Sequence, residues 1–249
     1  MRIAVAGATG RIGQLTVDVL ERAGHEAVPV SRESGVDAYT GAGLDAALRG
    51  AGAVIDATNT PAQDEAEVVD FFGTVTRNLL AAGERAGVRH HVLLSIVGID
   101  RNQRSAHYAG KREQERLAKA GPVPWSIVRA TQFHDFAAMV AGWTLRDGTA
   151  TIAPLLVQPI APADVAAVLA ETAAAAPLLA TLDIAGPRTE DLVDMARRTF
   201  AARGQDVTLV PTWRGIFGLD MAGEVLLPGD GARLGTTTFD DWLDRKSVV

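Results

Sequence analysis

Apolar residues along this chain fall into short unbroken runs, separated by longer segments in which they recur three and four apart. Ile3–Ala6 is a run of the first kind. Arg11–Ala23 follows with Ile12, Leu15, Val19, Leu20 and Ala23 at helical spacing, and Gly24 ends it. Glu26–Val30 predicts a second strand, Val36–Tyr39 a short further strand and Gly43–Leu48 a short helix. Ala53–Thr58 (AVIDAT) is apolar enough to be buried on both faces, as strands of a parallel sheet are. Asp64–Ala86 predicts a long helix with Val68, Phe71, Phe72, Val75 and Leu79 inward. His91–Ile96 is a strand, Ser105–Ala120 a polar helix, Trp125–Ala130 a strand and Phe133–Trp143 a helix. Strands alternating with helices at this spacing predict βαβ units: an α/β, Rossmann-type doubly wound parallel sheet. Right-handed crossovers then put a ligand crevice at the carboxyl ends of the strands.

The pattern changes near residue 145. Thr149–Ala153, Gln158–Ala161 and Thr181–Ile184 are short extended pieces, with helices expected at Pro162–Ala175 and Thr189–Arg203. Val207–Pro211 is extended, and Trp213–Ala222 reads as a short apolar helix. No Gly/Ser-rich linker intervenes, so residues 1–145 are expected to form the sheet domain. Residues 146–249 are expected to form a smaller α+β lobe packed on it, the whole a single compact unit.

Composition narrows the function classes. A chain of 249 residues, 47% hydrophobic and 22% charged, has the makeup of a globular protein able to bury a full core. A net charge of −6 argues against a dedicated nucleic-acid surface. The absence of cysteine excludes disulfides, thiolate metal sites and cysteine nucleophiles. No apolar stretch approaches the roughly 20 residues of a membrane helix. Only Arg2 separates Met1 from the first apolar run, so a cytoplasmic location is expected. His90-His91 has no carboxylate or third histidine close by and reads as structural; no metal site is expected.

The candidate chemistry begins at Gly7–Gly13, GATGRIG, which joins the first strand to the first helix. Gly7 suits the tight turn, Gly10 the approach of a pyrophosphate and Gly13 the packing of helix on strand, with Thr9, Arg11 and Ile12 completing the loop. Ser31 and Arg32 close the second strand, where a dinucleotide fold meets the adenosine ribose. An arginine there suits the 2′-phosphate of NADP, and Arg11 adds a second positive charge, so NADP(H) is favoured over NAD(H). The competing reading leaves both arginines solvated on the surface. Thr58-Asn59 follows AVIDAT and is expected near the adenine or its ribose, with a plain Asx turn as the alternative.

GATGRIG, Arg32, NLLAAGERAGVRHHVLLSIVGID (Asn78–Asp100) and HYAGKREQERLAKAG (His107–Gly121) together resemble the atypical short-chain dehydrogenase/reductase superfamily, and within it the NmrA-like NAD(P)-binding group. VRATQF (Val128–Phe133) and QPIAPADVAAVL (Gln158–Leu169) fit that group too. The resemblance implies Ser95 at the end of the central strand orienting a carbonyl, and Lys111 holding the nicotinamide ribose and relaying a proton. The superfamily's tyrosine lies four residues before its lysine; here that position is His107, and Tyr108 lies three before. The acid/base is therefore Lys111, His107 or Tyr108. Thr131 and Phe133 are expected at the nicotinamide. His134, Trp143, Trp213 and Phe217, with Phe133, are expected to line an apolar substrate pocket, although each singly also reads as core. The resemblance implies an NADPH-dependent reductase of a small apolar carbonyl, quinone or enone-like compound, in secondary-metabolite tailoring for example. Its alternatives are a non-catalytic NAD(P)-sensing regulator and a non-redox isomerase or cyclase. The expected partner is a small molecule, with no nucleic acid or membrane, and the chain itself a monomer or homodimer.

Overall fold

The fold comes from a computed structural model that describes residues 1–102 and 105–247. Its strands are β1 (Arg2–Ala6), β2 (Glu26–Val30), β3 (Ala53–Asp56), β4 (His90–Ile96), β5 (Trp125–Ala130), β6 (Thr149–Ile152), β7 (Leu156–Val157), β8 (Thr181–Ala185), β9 (Glu190–Asp191), β10 (Thr208–Pro211) and β11 (Arg233–Leu234). The helices are α1 (Arg11–Arg22), α2 (Leu44–Ala47), α3 (Glu65–Ala86), α4 (Ala106–Ala120), α5 (Phe136–Thr144), α6 (Pro162–Ala174), α7 (Leu192–Ala202) and α8 (Phe239–Ser247).

A seven-stranded sheet runs in the order β11-β8-β5-β4-β3-β1-β2. β2, β1, β3 and β4 pair in parallel, as do β8 and β11. All four residues of β3 are buried, as the apolar AVID run requires of a strand covered on both faces. Ala4, Ala6, Val30 and Val54 pack with Val75 and Leu79 of α3 and with Leu44 and Leu48 at α2 in one cluster. Asp64 caps α3 by accepting the Glu67 N–H, which is why that helix starts one residue later than its polar run.

The chain divides into two compact units, each discontinuous in sequence: residues 1–129 with 165–182, and residues 130–164 with 183–249. The boundary expected near residue 145 is a single one, whereas these units interleave in sequence. In the first unit, β5 is bonded to the segment before β8: Ile127 N–H donates to Ala180 O, and Leu179 N–H to Trp125 O. That pairing draws the later segment back to the earlier one. In the second unit, β6 pairs with β10 in parallel and β7 with β9 antiparallel.

Two expected elements are absent. Val36–Tyr39 is a turn, because the Asp37 carboxylate accepts the Tyr39 and Thr40 N–H groups and Gly41 N–H donates to Asp37 O. Trp213–Ala222 is bent loop with one 3₁₀ turn at Leu219–Met221, since Gly215 and Gly218 interrupt the apolar pattern. One unexpected helix, α8, carries its own start signal. Thr238 accepts the Asp241 N–H, and Asp241 accepts from the Thr238 hydroxyl and N–H, a reciprocal capping box.

His90 and His91 are buried at the start of β4, and His90 Nε2 lies 2.7 Å from Ser126 Oγ. Burial pulls both imidazoles below their ordinary pKa, against a backbone carbonyl at Ala175 for His90 and against Asp56 for His91. Unfolded imidazoles titrate near 6.5, so below about that pH the unfolded chain takes up protons that the folded one refuses. Stability is therefore full above that range and declines as the pH falls through it. Urea midpoints at pH 7.5 and 5.5 are expected to show this drop, and His91→Gln to make it smaller; an equal drop in the variant would exclude His91 as a cause.

Candidate functional site

The strand order reverses between β1 and β3, the place where open α/β sheets bind ligands at their carboxyl ends. The turn after β1 and the turn after β3 meet there. Gly7 has φ +77°, and a Cβ on it would lie 2.7 Å from Ala57 O. A Cβ on Gly13 would lie 2.0 Å from Gly7 O, so α1 sits directly on the turn. Gly10 N–H closes the turn on Gly7 O at 2.9 Å. No side chain caps α1 and no acidic residue occupies its first turn, which Arg11 opens. An unblocked helix start on a glycine cradle fits a pyrophosphate. Thr9 and Arg11 are exposed beside it, while Ile12 is buried, so any contact from Ile12 is through its backbone.

Arg32 is exposed in a 3₁₀ turn directly after β2. Ser31 does not offer a spare hydroxyl there, because it caps that turn reciprocally with Ser34. Thr58 turns inward: its N–H and hydroxyl both donate to the buried Asp56 carboxylate, at 3.0 and 2.6 Å, while Asn59 stays exposed.

Lys111 is the central charged group of this unit. A Cβ on Gly110 would lie 2.4 Å from Phe72, so only glycine lets α4 approach α3 this closely. The approach brings the Lys111 ammonium 4.5 Å from the Phe72 ring centroid. Its Nζ donates to Leu94 O at 3.0 Å and to Thr58 O at 3.5 Å, joining the ends of β4 and β3. Burial lowers Lys111 to about 8, against the opposing pull of Asp56 and Glu115. His107 lies edge-on to Phe72, with ring centroids 5.5 Å apart. Burial, and then the Lys111 charge, push it down to about 4, so it is a neutral imidazole at neutral pH. Tyr108 is buried, and its N–H is capped by Ser105 Oγ.

Ser95 departs from its expected role. It is 1% exposed, and its hydroxyl donates to Glu115 Oε1 at 2.7 Å. Glu115 is also gripped by Arg129 through two bonds of 2.7 Å and by Lys119 at 3.0 Å, and Arg129 reaches Asp100 as well. Burial pushes the Glu115 carboxyl up, but Arg129, Ser95 and Lys119 together hold it below the ordinary range. Ser95 thus joins this ion-pair network through its hydroxyl. Phe72, Asp56, Glu115 and Arg129 shape the surroundings of Lys111 although none stands out in sequence. Three of them act on residues many positions away, and Glu115 is hidden in a run of charges.

The second unit holds the remaining candidates. The Thr131 hydroxyl donates to Gln158 O at 2.6 Å, and Phe133 bridges to Ile160. His134 is fully buried, with Nε2 3.0 Å from Pro159 O and its ring edge-on to Phe239 and Trp242. In this unit its contacts are those of a packing residue. Phe217 lies 5.9 Å from Phe136 and 6.3 Å from Trp143 between ring centroids. Trp143 is 47% exposed, so Phe136, Trp143 and Phe217 form an accessible apolar surface; Trp213 is half-buried. Among the described residues no cluster could hold a metal ion, and no helix is long and apolar enough to cross a membrane.

Comparisons with known proteins agree with this geometry. A (4-alkanoyl-5-oxo-2,5-dihydrofuran-3-yl)methyl phosphate reductase of Streptomyces griseus subsp. griseus is 33% identical over 144 residues, 53% of this chain and 48% of that protein. The chain thus matches about half the length of this curated relative. An NADPH-dependent quinone oxidoreductase of Escherichia coli, solved with NADPH, shares the fold with a TM-score of 0.72 at 18% identity, over 98% of this chain and 99% of that one. The triphenylmethane reductase of Citrobacter sp., solved with NADP(H), superposes with a TM-score of 0.67 at 17% identity, over 85% and 79% of the two chains. The profile of the NAD(P)H-binding family matches residues 7–176, from the glycine turn to the segment after α6. This chain, with its glycine cradle at the point where the strand order reverses, belongs to the NAD(P)H-binding family.

Proposed function

We propose that the protein is an NADPH-dependent reductase of a small, apolar carbonyl, quinone or enone-like compound. The observation that carries this reading is the Lys111 ammonium, buried at the ends of β3 and β4 and poised to titrate near neutral pH. A lysine kept this far from water and this easily deprotonated has the properties of a proton donor. When bound, the dinucleotide would supply a hydride, a hydrogen nucleus with two electrons, to the acceptor carbon. Lys111 Nζ gives a proton to the acceptor oxygen and regains one from solvent. His107, neutral at working pH, accepts or donates a hydrogen bond beside it without carrying the proton. Within the second unit, the exposed apolar surface of Phe136, Trp143 and Phe217 is of a kind that suits an apolar compound. The Streptomyces relative's reductase name supports the reaction class. The absent tyrosine four residues before Lys111 keeps the cofactor-sensing regulator as the reading to be tested against it.

NADPH oxidation with a panel of quinones, enones and aromatic ketones, followed at the nicotinamide absorbance, is expected to show turnover. No turnover across the panel, with NADPH still bound, would favour the regulator. The preference for NADP rests on Arg32. Charge-assisted bonds to a 2′-phosphate contribute roughly 1.5–3 kcal/mol, so Arg32→Glu is expected to weaken NADPH binding by about tenfold to a hundredfold and leave NADH binding little changed. Equal Kd values for the two cofactors in the unaltered protein would remove Arg32 from the argument.

A further inference from the structure

We propose that Thr58 and Gln114 clamp the Asp56 carboxylate so that it faces the Lys111 ammonium without bonding to it. The clamp makes both of them positioning residues for Lys111, and its part in catalysis rests on the proton-donor reading above. All four side chains belong to the unit of residues 1–129 with 165–182. Asp56, the last residue of β3, is fully buried. Its Oδ1 accepts the Thr58 N–H at 3.0 Å and the Thr58 hydroxyl at 2.6 Å, and its Oδ2 accepts from Gln114 Nε2 at 3.0 Å. Lys111 Nζ donates instead to two neutral carbonyls, Leu94 O and Thr58 O. The pull of Asp56 on Lys111 is that of a charge acting at a distance.

The orientation of Gln114 shows what holds the carboxylate. Gln114 is fully buried, and its amide nitrogen donates both to Asp56 and to the Thr76 hydroxyl, at 3.2 Å. Thr76 can accept because its own O–H donates to Phe72 O at 2.8 Å. The Gln114 amide oxygen is left buried without a partner. Turning the amide over would set that oxygen against the carboxylate, so the need of Asp56 for a donor fixes the side chain. A buried carboxylate and a buried ammonium free to move would close into contact, because their attraction grows as the separation falls. Here the donors from Thr58 and Gln114 occupy Asp56 first. The other charges around Lys111 are committed or absent. Glu115, one turn on in α4, is bonded to Ser95, Lys119 and Arg129. His107, one turn before, is neutral, His91 of β4 faces Asp56, and α3 presents the Phe72 ring. With its counter-ion held off, Lys111 is dominated by burial and titrates at about 8.

The test uses Gln114→Met, which keeps the length of the side chain and removes the donor. Freed on that side, the carboxylate is expected to close on Lys111 and raise its titration by about one pH unit, the equivalent of one hydrogen bond. Thr58→Val, the same shape without the hydroxyl, is expected to move it in the same direction and serves should Gln114→Met fail to fold. The chain has only three lysines, Lys111, Lys119 and Lys246, so NMR of the full chain grown with ¹³C-lysine can follow Lys111 directly. Its resonance is the one that Lys111→Met removes. A titration that stays in place while the urea midpoint drops is the mark of a merely structural residue, and it overturns the clamp. So does a titration that moves down, as Asp56→Asn is expected to move it, because Gln114 would then only keep Asp56 ionised. The pH at which NADPH-dependent turnover falls is measured on the same variants. If the resonance moves up and the fall in turnover does not follow, the clamp stands and the proton-donor reading fails. If the resonance stays, the clamp fails whatever turnover does.

Discussion

Lys111→Met is expected to cut NADPH-dependent turnover by about 10²–10⁴-fold, the range for loss of a positioned proton donor. The change in folding is expected to be small by comparison. Methionine matches the length of the lysine stem, and its thioether suits the face of Phe72, against which the ammonium now lies. Leu94 O loses its donor, but the cost of burying a charge disappears with it. Turnover and the urea midpoint measured on the same preparation separate the two effects. Turnover within threefold of the unaltered protein would remove Lys111 from the proton path. The unaltered protein should also carry the signature in its pH profile. The donor is the protonated amine, and burial sets it at about 8. Turnover is therefore expected to be flat on the acid side of that value and to fall as the pH rises through it. Asp56 and Glu115 hold the charge up, so Asp56→Asn should move the fall to lower pH. A profile that rises through this range would mean that the neutral amine is the working form.

What could be read in the sequence follows the range of the interaction. The glycine turn is legible because its causes are local: Gly7, directly after β1, takes φ +77°, and Gly13 lies against Gly7 six positions on. The βαβ alternation is legible for the same reason, each element declaring itself by its own period. The Lys111 environment is not. Phe72 and Lys111 meet only because α3 and α4 pack, and Gly110, the residue that allows it, looks like an ordinary helix-weakening glycine. Ser95 lies on the strand the pattern predicts, and His134 falls before α5 rather than within the expected helix; their directions are set by partners that spacing cannot reveal, Glu115 for the serine, Phe239 and Trp242 for the histidine. Asp37 likewise turned a strand-like run into a turn by a side-chain bond that the apolar pattern ignores.

Gly13→Ala is expected to damage both fold and cofactor binding, and Gly10→Ala the binding alone. At Gly13 the added methyl would stand 2.0 Å from Gly7 O, 2.7 Å from Gly7 C and 2.8 Å from Ala8 Cα, all backbone. No rotamer relieves contacts with main chain, so α1 must shift off the turn. Overpacking of a well-filled site typically costs about 1–3 kcal/mol, and a clash this close belongs at the top of that range or above it. The shift also misdirects the first N–H groups of α1, so NADPH affinity should fall by at least about a hundredfold, since the anion contacts depend on their alignment. At Gly10 the nearest atom to an added methyl is Gly7 O at 3.2 Å, and the residue has extended backbone at φ −75° and ψ 161°. Alanine is conformationally acceptable there, so the unfolding free energy from urea titration should change by less than about 1 kcal/mol. The methyl nevertheless occupies the surface that a pyrophosphate must approach, and NADPH binding is expected to weaken by about tenfold or more. The pair discriminates because the two glycines differ in what surrounds them: three backbone atoms within 2.8 Å at Gly13, and a single backbone oxygen at 3.2 Å at Gly10. If Gly10→Ala bound NADPH as tightly as the unaltered protein, the dinucleotide would not lie against this turn, whatever Gly13→Ala did to the fold.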